Sequence, residues 1–453
     1  MSELLATFAQ ALQLPLERLP ATSFPGMGAL PSTFAVSDLA SASIGAAGLA
    51  VADLLRQQGV PAGSLSVDRR LASFWFASSL RPMGWAPPPP WDPIAGDYAT
   101  RDGWIRLHTN APHHRAAALQ VLGPCEDRDS VAKAVSQWDA EALERAVVEA
   151  NGCAAQMLQL AQWAGHAQGQ AVAGEPLVQL EQFDAQGVQG WRGSRAQPLA
   201  GIKVLDLTRI LAGPVATRFL AAMGADVLRI DPPGWEEPSL APEVTLGKRC
   251  ARLDLHDSLD RISFERLLAQ ADIFVHGYRA DALERLGFGA ERVRQLNPGL
   301  IDISLNAYGW TGPWRNRRGF DSLVQMSTGI AAAGQQWRQA DKPVPLPVQA
   351  LDMATGYLAA AAAINGLRER LASGRGSAAR LSLARTAKAL IDHGQVTTDL
   401  PLAAETGADL ASQIEHTPWG PAQRLTPPLA LAGTPMQWAC PAGQLGASPA
   451  SFS

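Results

Sequence analysis

LAGIKVLDLTRILAGPVATRFLAAMGADVLRID, residues 199–231, decides the fold through the order of its patterns. IKVLDLT (202–208) is a short apolar run suited to a strand covered on both faces. A turn carrying Gly213 and Pro214 follows, then VATRFLAAMG (215–224) predicts a helix and DVLRID (226–231) a second strand. Downstream, DIFVHGY (272–278) and LIDISLNAYG (300–309) repeat the strand pattern, with helical segments LDRISFERLLAQ and ADALERLG between them. Strand, helix and strand at this spacing imply right-handed crossovers and an open parallel sheet of the α/β class. Ligands of such sheets bind where the strands' carboxyl ends meet their loops.

The rest of the chain bounds what surrounds that sheet. At 453 residues it exceeds one ordinary core, so two or more domains are expected. It is 47% hydrophobic and 18% charged with a net charge of −4, which points to no nucleic-acid or membrane partner. MSELLATFAQALQLPLERL lacks a basic segment followed by an apolar core, so we expect no signal peptide and a cytoplasmic protein. The alanine-rich run near 357–364 is too short to span a bilayer. Cys125, Cys153, Cys250 and Cys440 lack metal-ligand spacing and are expected as reduced thiols, with no metal site. GWAPPPPWDP (84–93) predicts an extended connection, DGWIRLHT (102–109) a strand, HHRAAALQVLG (113–123) and 140–148 helices, and WRGSRAQP (191–198) a linker.

An internal repeat joins the two ends of the chain. SDLASASIGAAGLAVADLLRQQG (37–59) aligns without a gap on LDMATGYLAAAAAINGLRERLAS (351–373). In each, an aspartate precedes a long small-residue helix with arginine in its last turn. A strand is expected after each, in SLSVDRRLASFW and ARLSLARTAKAL.

Three features could carry chemistry. LTRILAGP (207–214) runs from a strand into a helix start, where free N–H groups and a partial positive charge suit a phosphate. Arg209 adds a cation and Gly213 lets backbone come close; an unliganded tight turn is the competing reading. No G-x-G-x-x-G or P-loop is present. A scattered cationic set, Lys248, Arg249, Arg285, Arg315, Arg317 and Arg318, is ordinarily solvated surface, although Arg285 and Arg318 follow strands where loops converge. Asp352 falls at an N-cap position, which by itself explains an aspartate there. Held ionised by the helix dipole, it could instead attack a thioester, with Ala354, Thr355 and Gly356 leaving room for substrate. No Gly-x-Ser-x-Gly elbow or His-x-x-x-His pair occurs, and the adjacent His113 and His114 are expected at the surface.

Taken together, LAGIKVLDLTRILAGP, MGADVLRID, GKRCARLDL, ALERLGFG, LNPGLIDISLNAYGWTGPWRNRRGFDSLVQMSTGI and LDMATGYLAAAAAINGLRERLASGRGS resemble, in that order, the large domain of the family III CoA-transferases of the CaiB/BaiF type. That group includes formyl-CoA transferase and carnitine CoA-transferase. DGWIRLHTNAPHHRAAALQVLG resembles the family's small domain, here displaced ahead of the large one, and PPLALAGTPMQWACPAGQLGASPA its C-terminal extension. The resemblance implies a Rossmann-like large domain at 199–390 and a smaller α/β domain at 76–190. Residues 1–75 would form an arm with the half-repeat, and 391–453 the extension. It implies a CoA-transferase passing CoA from an acyl-CoA to a carboxylic acid, with coenzyme A as substrate and product, in a homodimer. Asp352 would be the covalent nucleophile, forming an aspartyl anhydride and then an aspartyl-CoA thioester. CoA contacts would fall on Arg209, Ile210, Ala212, Leu253, Arg285 and Arg318. Two contacts are altered, since Pro232 replaces a basic residue and His256 a lysine.

Two rival functions remain. The related acyl-CoA racemases carry a histidine where this chain has Phe320, so transfer is favoured over racemisation. A non-catalytic CoA-binding remnant would explain the displaced copy, but Asp352, Asp321 and Gly356 are all retained. Asp38, the counterpart of Asp352, is expected to be a structural cap. The proline run at 86–90 stands roughly where the family has a glycine-rich loop, and Tyr308, Trp310 and Gln325 are candidates for acceptor selectivity.

Overall fold

The computed structural model describes residues 2–185, 190–279, 281–396 and 400–453. Its largest sheet has seven strands in the spatial order Lys248–Arg252, Asp226–Asp231, Lys203–Leu207, Ile273–His276, Ile301–Asn306, Gly376–Ser382 and Gln179–Phe183. The first six are mutually parallel, and the last lies antiparallel on the edge. The sequence predicts four of these strands within two or three residues at either end. The antiparallel edge, formed by the first half of the chain, follows no pattern read there. From Lys203–Leu207 the chain moves outward to 226 and 248, then returns on the other side at 273. Strand order therefore reverses between Leu207 and its register partner His276, which opens a crevice at their carboxyl ends.

Two long helices, Val36–Gln57 and Ala350–Ser373, pack on each other, and the second lies against the strands Ile301–Asn306 and Gly376–Ser382. In each the aspartate is the third helical residue, and the residue before the helix has nearly the same backbone, φ −75° and ψ 59° at Ala35 against φ −75° and ψ 63° at Gln349. Neither Asp38 nor Asp352 is thus an N-cap. The cap places are taken by Ala35 and Gln349, whose side chains make no capping bond. Each long helix leads into a strand and then a shorter helix, Leu65–Val67 with Arg69–Trp75, and Gly376–Ser382 with Leu383–Asp392. Asp68 and Ser382 cap the shorter helices by accepting the Leu71 and Arg385 N–H groups, which ends each strand sooner than its apolar pattern does.

The two long helices pack on each other within one apolar core that also holds Leu5, Phe8, Leu220 and Val275. Asn365 Nδ2 donates to the Leu12 carbonyl at 2.9 Å, and Arg368 pairs with Asp53 across the helix pair. The helices Ser2–Ala11 and Val36–Gln57 accordingly contribute side chains to the large core. By length and mean hydropathy (1.4) the Val36–Gln57 helix could cross a membrane, but 89% of its most apolar window is buried inside the protein.

The small domain has its own core. Strands Gly96–Ala99, Trp104–Leu107 and Ala154–Gln156 pair antiparallel and are covered by helices Pro112–Leu122, Arg128–Val135 and Ala140–Glu149. It docks on the large domain through Cys153 and Ala155, which meet Leu323, Met326 and Ala331. The C-terminal residues close back over the first segment. Leu429–Leu431 pairs with Leu65–Val67, and Gly420–Leu425 with Leu80–Pro82.

Candidate active site

A cavity of about 360 Å³ occupies the crevice where strand order reverses. Its walls come from the loop 207–213, from Gly277–Arg279, from 305–307, from the Arg317–Phe320 segment and, across the opening, from His113 and His114 of the small domain. Asp352 reaches it from the first turn of its helix. Both halves of the chain therefore line one cavity.

The loop after the first strand is tightly held. Ile210 has φ +67°, a left-handed conformation that a β-branched residue rarely adopts. Its N–H donates to Glu237 Oε1 at 2.7 Å, and Glu237 is anchored by Arg229 at 2.9 Å with both side chains buried. Glu237 also accepts the Trp235 indole N–H at 2.9 Å. Trp235 and Tyr278 then flank the Arg209 guanidinium, whose Cζ lies 4.7 and 5.2 Å from their ring centroids, and the Tyr278 hydroxyl accepts from Arg209 at 2.7 Å. Beneath the loop, buried Lys248 donates to Asp206 at 3.0 Å and to the Pro214 carbonyl at 2.9 Å. Gly213 serves this packing, because a Cβ there would meet the Thr208 side chain at 2.3 Å. The sequence assigned that freedom to an approaching phosphate.

Asp352 is buried, 7% exposed, and shares its surroundings with Asp321. Asp321 Oδ2 accepts the Asp352 backbone N–H at 2.9 Å, while Gln325 donates to Asp321 Oδ1 and accepts the Leu346 N–H at 2.7 Å. Burial first, and then the charge of Asp321, holds the Asp352 carboxyl well above the usual range. Burial likewise raises Asp321, against the hydrogen bonds it accepts. Among the described residues no cation pairs with either carboxylate, so these surroundings favour the neutral acid over the ionised form expected from the helix dipole. The small residues beside Asp352 are also spent on packing. A Cβ on Gly356 would lie 2.4 Å from the Ala212 carbonyl oxygen, and Thr355 shares a 2.7 Å hydrogen bond with Thr386.

The structure thus brings together Asp352, Arg209, Ile210, Ala212 and Arg318 around one cavity. It leaves out two of the anticipated contacts. Leu253 is buried among the apolar side chains on one face of the sheet, and Arg285 is exposed on a short helix where it pairs with Asp281. Lys248 and Arg249 are engaged by Asp206 and Asp226. Tyr308, Trp310 and Gln325 do not line the cavity. Tyr308 bonds Ser327, Trp310 bonds the Leu381 carbonyl, and Gln325 orients Asp321.

His114 is the largest departure. Expected at the surface, it is only 4% exposed and faces the cavity, with His113 at the mouth. Neighbours on a helix point about 100° apart, so one can enter a site while the other stays in solvent. His108 stacks on Phe320 with ring centroids 3.7 Å apart, and His114 meets the same ring edge-on at 5.8 Å. No sequence pattern marks Trp235, Glu237, Tyr278 or Arg279 as site residues either; the two pairs lie some forty positions apart, and only the folded loops bring them to the cavity beside Arg209.

A large part of the chain matches known proteins. Residues 199–444, more than half of the chain, match the family described as CoA-transferase family III. The acetyl-coenzyme A transferase nodX of Hypoxylon pulicicidum is 30% identical over 305 residues, covering 62% of this chain and 51% of that protein. A succinyl-CoA:glutarate CoA-transferase of Mus musculus is 32% identical over 193 residues, covering 40% of this chain and 44% of its own. The chain spans about half the length of the curated relatives it matches. Among solved structures, Rv3272 of Mycobacterium tuberculosis matches with a TM-score of 0.40 at 30% identity, over 44% of this chain and 57% of that one.

Proposed function

This chain belongs to CoA-transferase family III, and from that premise we propose that it passes CoA from an acyl-CoA thioester to a carboxylic acid, with Asp352 as the covalent nucleophile. The observation that carries the reading is a carboxyl, without a cationic partner among the described residues, lining the same cavity as the Arg209 guanidinium and the 210–213 loop. Arg209 and Arg318 have no carboxylate partner among the described residues. They suit the phosphates of CoA, which would bind across the sheet's crevice with the thioester directed inward.

In the reaction, the ionised Asp352 carboxylate attacks the thioester carbonyl. The C–S bond breaks, giving an acyl–aspartyl anhydride and CoA thiolate. The thiolate then attacks the aspartyl carbonyl, forming an aspartyl-CoA thioester and releasing the donor acid as carboxylate. An acceptor carboxylate repeats both steps in reverse order, so no net proton is consumed. Burial of Asp352 excludes the water that would hydrolyse the anhydride. Asp321, through the Asp352 N–H, orients the turn that carries the nucleophile.

Isotope exchange between an acyl-CoA and its own labelled acid tests this whatever the natural pair of acids is. We expect exchange, an acyl or CoA adduct on Asp352 by intact mass, and a loss of roughly a thousandfold or more in Asp352→Asn. Asp38→Asn, remote from the cavity, should leave exchange unchanged. Exchange that survives Asp352→Asn, or CoA binding without any exchange, would refute the nucleophile. Racemisation is the second reading, because His108 and His114 lie against Phe320 where the sequence lacks a histidine. Loss of α-deuterium from a labelled acyl-CoA is its signature. A homodimer is proposed on the resemblance, and a cytoplasmic location on the N-terminal sequence and the thiols.

A further inference from the structure

His114 is buried and lines the cavity, yet among the described residues neither Nδ1 nor Nε2 has a hydrogen-bond partner. Buried polar atoms are almost always paired, and an imidazole with both nitrogens open faces a desolvation cost that nothing within the protein offsets. Its neighbours explain its position without using its nitrogens. The His113 ring sits 4.1 Å away and Phe320 touches it edge-on. Burial first, then His113 and Arg318, pushes its pKa down to about 3, so one ring nitrogen donates and the other accepts. Arg318, whose charge acts on His114, is held among the described residues by Asn151, through the carbonyl at 3.2 Å and Oδ1 at 3.3 Å. This wall belongs to the same cavity as Asp352 and is the one supplied by the small domain.

We propose that His114 is a specificity-determining residue that hydrogen-bonds an oxygen on the acyl chain, so that the preferred acid carries a hydroxyl or second carboxyl group beyond the reacting one. This deepens the transfer reading and rests on it. A plain hydrocarbon chain would offer neither nitrogen a partner, the situation in which polar recognition discriminates most sharply. The neighbouring Arg318 extends the match to an anionic substituent.

Three four-carbon acids separate the possibilities: butyrate, 3-hydroxybutyrate and succinate. Each is assayed by exchange between its CoA thioester and the labelled free acid. We expect kcat/KM to favour one of the oxygenated acids over butyrate by about tenfold or more. In His114→Leu that ratio should collapse, with the change in KM, and His114→Asn, which restores a donor and an acceptor, should recover most of it. The ratio is taken within each variant, so a loss of folded protein cancels; should His114→Leu not fold, His114→Phe serves. An unchanged ratio in these variants, or a wild-type preference for butyrate, overturns the proposal. If no acid exchanges, the transfer reading has failed instead. Calorimetric affinities of butyryl-CoA and succinyl-CoA then judge His114 by the same ratio.

Discussion

Arg69 reaches Asp38 from the helix that follows it, whereas Asp352 at the matching place faces another carboxylate. Burial works to raise Asp38, but it is held below the usual range, with the hydrogen bond and charge of Arg69 among the causes. Asp352 receives no such help, and its raised pKa has two consequences of definite sign. Attack needs the carboxylate, so exchange should rise with pH above the ordinary carboxylate range and then level off. A rate already flat at about pH 5 would show that the carboxyl ionises normally. Stability runs the other way. Between the unfolded value near about 3.9 and the higher folded one, the native state holds the proton more tightly, so stability is lost as pH rises through that window. Asp352→Asn should therefore raise the thermal midpoint at neutral pH, with a gain that fades toward pH 4. Equal midpoint shifts at both pH values would sink the account.

At the level of elements, the Asp352 helix is fitted to the helix Ala212–Ala222 by the absence of one side chain. A methyl group on Gly356 would strike the Ala212 carbonyl oxygen and Val215, neither of which can swing aside as a long side chain could. Gly356→Ala should cost about 1–3 kcal/mol, read from the denaturant midpoint at constant m. It should also weaken CoA binding, since the displaced residue belongs to the loop that lines the cavity. A stable variant with normal affinity would show that the helix pair is looser than this packing requires. The loop itself was legible only in part. Strand, turn and helix follow from the residue pattern, but the left-handed Ile210 depends on Glu237, which lies 27 positions further along the chain.

For the whole molecule, the decisive feature is that the first and last thirds of the chain share one core. The helices of the internal repeat lie against each other, and the antiparallel edge strand Gln179–Phe183 ties the first half to the large sheet. Unfolding of the two repeat helices should accordingly be one transition, with tryptophan fluorescence and far-UV circular dichroism giving coincident urea curves. Separate transitions would mean that the first segment is an independent unit. The small domain carries a different sensitivity. Burial holds His108 and His114 near pH 3, so the unfolded chain takes up their protons first as pH falls below about 6.5, and the domain contact weakens toward acid.

The sequence by itself determined the alternating α/β order, the parallel sheet and the end of it where a ligand binds, because those follow from local periodicity and the handedness of crossovers. It also exposed Asp352 and the repeat, because each is written in contiguous residues. Tertiary structure alone decided which arginines stay free of carboxylates, why Asp352 is disposed to be neutral, and that His114 enters the cavity. Those properties depend on burial and on partners that distant segments supply, and no local pattern encodes them.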